Sequence, residues 1–130
     1  MPLVLIDLLE GRTPTQLETL ADTVQEVMER DFAAPPGDRY QIITQHRPGE
    51  LRIGASGLPL RRSDDVVLLR IVQQGRSEEQ KTRTYRALAE RLQDRCGIDP
   101  QDLVITVVQN TRADWSFGNG SAQFLTGELA

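Results

Sequence analysis

Laid against itself with a shift of 64 residues, the chain meets a second copy of its own pattern. Leu5 aligns with Leu69, Gly11 with Gly75, Arg12 with Arg76 and Gln16 with Gln80. Without a gap, Glu26 then meets Glu90, Pro36 meets Pro100, Asp38 meets Asp102 and Gln45 meets Gln109. Apolar positions follow the same shift: Val24 with Leu88, Met28 with Leu92, Phe32 with Cys96 and Ile43 with Val107. Shared ancestry of the two halves is the preferred account; two unrelated units with the same turn chemistry are the alternative. Such a chain has to arrange two copies of one unit around a common core.

Each unit reads strand, helix, strand. Leu3–Leu9 and Val66–Val72 are short runs rich in branched apolar residues, the pattern of buried strands. Thr13-Pro14-Thr15-Gln16 opens a helix, with Thr13 as N-cap, Pro14 in the first turn and Gln16 closing a capping box. Ser77-Glu78-Glu79-Gln80 repeats that device. Leu17, Leu20, Ala21, Val24, Val27 and Met28 give the first helix an apolar stripe; Tyr85, Leu88 and Leu92 do so more sparsely in the second. Pro35-Pro36-Gly37 and Asp99-Pro100 break the helices, and Tyr40–Gln45 and Leu103–Gln109 are the closing strands. The expected fold is α/β (α+β), a tandem β-α-β repeat. Right-handed crossovers make the strands of each unit parallel and put both helices on one face of a four-stranded sheet. The boundaries are one domain over 1–130, with repeat one at 2–45, a turn-rich linker at 46–65 with room for a short hairpin, repeat two at 66–109 and a tail at 110–130. The strands are apolar at nearly every position, as in strands covered on both sides, so the bare face is expected to meet other copies of the chain.

Composition narrows the function. A chain of 130 residues buries enough surface to fold without a disulfide or metal. The net charge is −4 and no long basic run occurs, which argues against a nucleic-acid partner. The single Cys96 excludes an intrachain disulfide and a multi-cysteine metal site, and fits a reducing compartment. The longest apolar runs, Leu3–Ile6 and Val66–Leu69, fall far short of the roughly 20 residues a membrane-spanning helix needs. The expected setting is cytoplasmic, with no membrane and no cofactor. His46, the one histidine, lacks a metal-ligating partner nearby in sequence and is assigned a structural role.

Several residues can carry chemistry. Pro2 follows the initiator methionine, and removal of Met1 would leave a secondary amine at the start of a buried strand. Burial and nearby cations would lower its pKa toward neutrality, suiting it as acid, base or iminium-forming nucleophile. Pro2 as an ordinary residue of a Met-Pro start is the alternative. Arg12 and Arg76 occupy matched strand-to-helix turns, where a guanidinium can grip a carboxylate or simply be exposed. Asp38 follows a turn and can orient a water or carbonyl, or cap that turn. Asp102 is assigned turn-capping alone. Trp115, Phe117 and Phe124, three of the six aromatics, crowd into the tail and can wall a small dry pocket or pack on a neighbouring subunit.

Met1-Pro2, Leu9-Glu10-Gly11-Arg12 and Gln74–Lys81 resemble the tautomerase superfamily, whose simplest members are strand-helix-strand chains with a catalytic N-terminal proline. Asp38-Arg39-Tyr40, Gln45–Glu50, Val66–Leu69, Arg76–Lys81, Ala113–Gly118 and Phe124–Gly127 resemble its malonate semialdehyde decarboxylase branch, over nearly the whole chain. The resemblance implies a homotrimer. It implies Pro2 as catalytic amine, Arg76 as holder of a small substrate's carboxylate, Asp38 as helper at the carbonyl or a water, and Trp115, Phe117, Phe124 and Leu129 as the apolar wall. The family's second arginine, two positions before Arg76, is replaced here by the neutral Gln74, also placed at the substrate. Arg70 and Arg12 are candidates to replace its charge. The implied activity is decarboxylation of a small 3-oxo acid. Keto-enol tautomerisation or hydration of small 2-oxo or unsaturated acids is the alternative, and a non-catalytic trimeric binding module a third reading.

Overall fold

The computed structural model describes residues 2–130, so the expected removal of Met1 concerns a residue outside the described ones. Four strands, β1 (Leu3–Leu9), β2 (Tyr40–His46), β3 (Val67–Gln74) and β4 (Leu103–Asn110), form one sheet in the order β2-β1-β3-β4. β1 runs parallel to β2 and β3 parallel to β4, while β1 and β3 meet antiparallel at the seam between the repeats. Two helices, α1 (Pro14–Asp31) and α2 (Glu78–Cys96), cross over from strand to strand within each repeat.

Both helix starts follow from their sequence. Thr13 and Ser77 each accept the backbone N–H of the residue three ahead, Gln16 or Gln80, whose side chain returns a bond to the cap's own N–H. Leu20, Val24, Val27 and Met28 of α1, with Leu88 and Leu92 of α2, close over Val4, Ile6, Leu8, Val67, Leu69 and Ile71 to make the core. Tyr85 differs from expectation. It is half-buried and outside the core, and the neighbouring Thr84 takes the buried position, its hydroxyl donating to Asp31 O at 3.2 Å.

Each helix ends in a left-handed corner. Gly97 adopts φ 66° after α2 and Ala33 adopts φ 55° after α1. Ala34 N donates to Met28 O, as Ile98 N does to Leu92 O, so both corners recapture an orphan helix carbonyl in the same way. The first helix thus stops before the proline pair that was expected to break it.

After His46, which ends β2, the linker has no strand and its room for a short hairpin goes unused. Its backbone is instead tied down by side chains. Ser63 donates from N and Oγ to the buried Asp102 carboxylate at 2.6 and 2.5 Å, and Arg62 donates to Gln101 O. Asp99 caps the turn before β4, so Asp102 anchors the linker rather than capping that turn.

The face of the sheet away from the helices carries Leu3, Leu5, Tyr40, Ile42, Leu68, Val72, Val104 and Val108, interrupted by one polar cluster. There Asp7 accepts from Arg70 Nη2 at 3.0 Å and bonds His46 Nε2 at 2.8 Å. His46 has the structural role assigned to it. Burial alone would raise the Asp7 pKa, but the bonds to His46 and Arg70 outweigh it and hold the carboxyl below its ordinary value. The folded form therefore releases the proton more readily than the unfolded chain. Stability from Asp7 is present above about pH 4 and drains away as pH falls through the lowered folded value. Asp7→Asn should cost about 2 kcal/mol at pH 7, read by urea unfolding, and the gap from wild type should narrow at pH 3.

Candidate active site

Pro2 is buried at the mouth of β1. The register pairs Leu3 with Tyr40 on one side and Val72 on the other, so one step outward Pro2 lies between Arg39 and Gln73. Asp38 stands one residue further along, at the end of a turn closed by its N–H to Pro35 O at 3.0 Å. Its half-buried carboxyl has a raised pKa, because burial disfavours the charged form. Gln25 fastens this turn from α1, donating to Asp38 O at 3.0 Å.

Beside this mouth the end of β3 and the start of α2 present Gln74 and Arg76 to a cleft of about 640 Å³. Arg76 is less available than its sequence position suggests. Its Nε donates to Phe32 O, Nη1 to Gln74 O and Gly75 O, and Nη2 to Ala33 O, at 2.8 to 3.3 Å. The guanidinium also sits 5.4 Å from the centre of the Phe32 ring, and burial lowers its pKa. Of its five N–H donors, one on Nη2 is left for a ligand. Arg76 thus clamps the corner after α1 to the turn before α2.

The tail gathers its aromatic residues into one cluster. Trp115 stacks on Phe117 at 5.4 Å, and Phe117 meets Phe124 edge-on at 5.5 Å and Tyr40 at 5.8 Å. Trp115 Nε1 donates to Asn110 Oδ1, Phe117 N to Gln123 Oε1 and Gln123 Nε2 to Gly118 O, which locks the loop in place. Leu129 is half-buried beside it, its N–H on Gln123 O at 3.1 Å. Gln74, Arg76, Asn110, Arg112 and Leu125 line the cleft. Pro2, Asp38 and the Trp115–Phe117 stack lie outside its walls, so the chain alone does not close all the expected residues around one cavity.

Neither cation considered as a replacement at position 74 reaches this end. Arg70 is held by Asp7 on the bare face, and Arg12 donates to Asp65 O at the opposite end of the sheet. Arg12 lines a second cleft of about 520 Å³ with Cys96, the repeat-related counterpart of the Arg76 end. There the residue matching Pro2 is Val66, whose nitrogen is a peptide amide. Among the described residues no group of three or more His, Cys, Asp or Glu could hold a metal, and no helix is long and apolar enough to cross a membrane.

Two residues escaped the sequence reading. Gln73 is 1% exposed and both of its amide atoms lack a hydrogen-bond partner among the described residues. The polar pair Gln73-Gln74 at the end of an otherwise apolar strand is the signal that could have marked it. Arg112 is the other, masked by its place in an exposed turn.

A buried proline ahead of the first strand, a turn carboxyl with a raised pKa and an aromatic cluster in contact with Tyr40 stand on a repeated β-α-β frame. The chain belongs to the tautomerase family: models described as "Tautomerase enzyme" match residues 38–118 and 2–58. Probable tautomerase YrdN of Bacillus subtilis (strain 168) is 45% identical over 99% of this chain and 100% of its own length. Among solved structures, malonate semialdehyde decarboxylase, studied in wild-type, mutant and inactivated forms for its decarboxylase and hydratase activities, is 46% identical. It superimposes with a TM-score of 0.95 over 98% of this chain and 99% of that one. A fused 4-OT symmetric trimer, 19% identical, shares the fold with a TM-score of 0.78 over 96% and 98% of the two chains.

Removing Arg76 should register in stability as well as in activity. Arg76→Ala strips donors from Phe32 O and Ala33 O, and denaturant unfolding should show a loss of about 2–3 kcal/mol.

Proposed function

We propose that the protein decarboxylates a small 3-oxo acid with the amine of Pro2, freed by removal of Met1. The observation that carries the reading is the burial of Pro2 at the end of the sheet, one residue before the Leu3–Tyr40 and Leu3–Val72 pairs. The likeness to malonate semialdehyde decarboxylase over nearly the whole of both chains supports it.

In this mechanism protonated Pro2 polarises the 3-oxo group, or unprotonated Pro2 attacks it and, with uptake of a proton, loses water to form an iminium. The remaining Nη2 proton of Arg76 and the amide of Gln74 orient the carboxylate. The bond from the carboxyl carbon to C2 then breaks, CO2 leaves, and the electron pair forms an enol or enamine that takes up a proton at C2. Asp38, whose carboxyl pKa is raised by burial, assists at the carbonyl or at a water. The wall of Trp115, Phe117, Phe124 and Leu129 keeps bulk water away, which strengthens each of these polar contacts. The bare sheet face, with Tyr40 41%, Ile42 49% and Val108 50% exposed, is the surface on which a homotrimer would assemble.

A second reading, keto-enol tautomerisation of a 2-oxo acid with unprotonated Pro2 as base, is favoured by the loss of charge at Gln74. A relative named as a probable tautomerase also supports it.

Pro2→Ala keeps a primary amine but not the secondary one. Its kcat should fall at least about a hundredfold, measured on malonate semialdehyde and on phenylpyruvate, with absence of Met1 checked by mass spectrometry. Undiminished turnover would refute the amine mechanism. Light scattering at micromolar concentration should return the mass of three chains, and a monomer mass would refute assembly through the bare face.

A further inference from the structure

A substrate carboxylate needs positive charge at its binding end, and Gln74 supplies none. Arg70 and Arg12 are committed elsewhere, and Arg76 has one N–H to spare. The cleft nevertheless contains a second guanidinium. Arg112 opens the short turn Arg112–Asp114 directly after β4 and lines the same cleft as Gln74 and Arg76. Its guanidinium carbon lies 4.7 Å from the centre of the Phe124 ring. The face of an aromatic ring attracts a cation and lets a flat guanidinium rest against it with its donor edge open.

The surroundings leave those donors open. Among the described residues, the one hydrogen bond from the Arg112 side chain is a long contact from Nη2 to Phe124 O, 3.4 Å. No carboxylate among the described residues pairs with it. The lining of the cleft, from Gln74–Arg76 to Gln109–Ala113 and Leu125, holds two arginines and no aspartate or glutamate. A concave site with two cations and no internal counter-charge attracts a small anion.

We propose that Arg112 is the principal carboxylate-binding residue of this site, standing in for the positive charge missing at position 74. The proposal rests on the decarboxylase or tautomerase reading for the identity of its ligand, a small carboxylic acid. It assigns Arg112 to binding and leaves the chemical step to Pro2. The ring of Phe124 positions the guanidinium, and the Nε and Nη1 protons face the carboxylate oxygens.

Binding can be read without turnover. Trp115, the one tryptophan of the chain, bonds Asn110 on the wall of the cleft, so its fluorescence reports occupancy. Titration of the full-length protein with malonate should give saturable binding in wild type. In Arg112→Gln it should weaken at least about tenfold, with an unchanged melting temperature, as expected for loss of a charge-assisted contact. Dimethyl malonate, which has no charge, should lose nothing. Arg112→Lys should recover part of the affinity, and Gln74→Arg added to Arg112→Gln should recover most of it. In turnover assays Arg112→Gln should raise KM and leave kcat within about threefold. Equal malonate affinity in wild type and a folded Arg112→Gln would overturn the proposal, as would absence of malonate binding in wild type. Loss of turnover in Arg112→Gln with malonate binding intact would overturn it too. Failure of the amine mechanism shows separately, as turnover that survives Pro2→Ala.

Discussion

The antiparallel seam between β1 and β3 is the constraint on which the other placements depend. Within each repeat the strands must run parallel, because a helix carries the chain back to its starting edge. Joining the two repeats antiparallel at their first strands then brings the beginning of one repeat beside the end of β3 in the other. Extended one step past the Leu3–Val72 pair, that register sets Pro2 opposite Gln73, next in sequence to the Gln74–Arg76 segment. The same seam sends Arg12 and its cleft to the far end of the sheet. A duplicated chain therefore has two equivalent ends by construction, and one of them can carry a chain terminus.

The tail turns that geometric asymmetry into a chemical one. Residues after β4 have no counterpart inside the repeat, and they fold over the Pro2 end, bringing Trp115, Phe117 and Phe124 into ring contact with one another and with Tyr40. Charge is partitioned in parallel. Asp7 holds Arg70 and His46 on the bare face, Glu26 binds Arg91 and Arg95 between the helices, and Asp65 holds Arg12. The cleft lined by Arg76 and Arg112 has no aspartate or glutamate in its walls.

Much of this was legible in the residues. The shift of 64 gave the strand and helix count, and Thr13-Pro14-Thr15-Gln16 and Ser77-Glu78-Glu79-Gln80 marked both helix starts, because a capping box is a local device with a local signature. The aromatic wall was equally visible as a cluster in sequence. What the residues hid were interactions across long separations. The bonds of Arg76 to Phe32 O and Ala33 O are invisible from its own neighbourhood because they reach residues more than forty positions away. Asp102 read as a turn cap because nothing near it announces Ser63. Thr84 displaced Tyr85 from the core because a small hydroxyl can satisfy Asp31 O in a space that would not take a ring. Arg112 was overlooked because a lone arginine in a polar turn looks the same whether or not an aromatic ring lies beneath it.

The two helix corners carry a further consequence, for how such a duplicated chain can change. Gly97 turns left-handed at little steric cost, whereas Ala33 does so with a Cβ, at a cost of about 1 kcal/mol. The Ala33 corner is held by Arg76, while Arg12, the repeat mate of Arg76, bonds Asp65 instead of the corner at Gly97. Substitutions in the second cleft are thus uncoupled from its helix corner, and a lineage can alter Arg12 and Gly97 in either order. In the first, the corner and the arginine form an epistatic pair. A mutational path that removes Arg76 first crosses a destabilised intermediate, whereas one that first converts Ala33 to glycine relieves the corner beforehand. The two halves are alike in outline and unequal in evolvability.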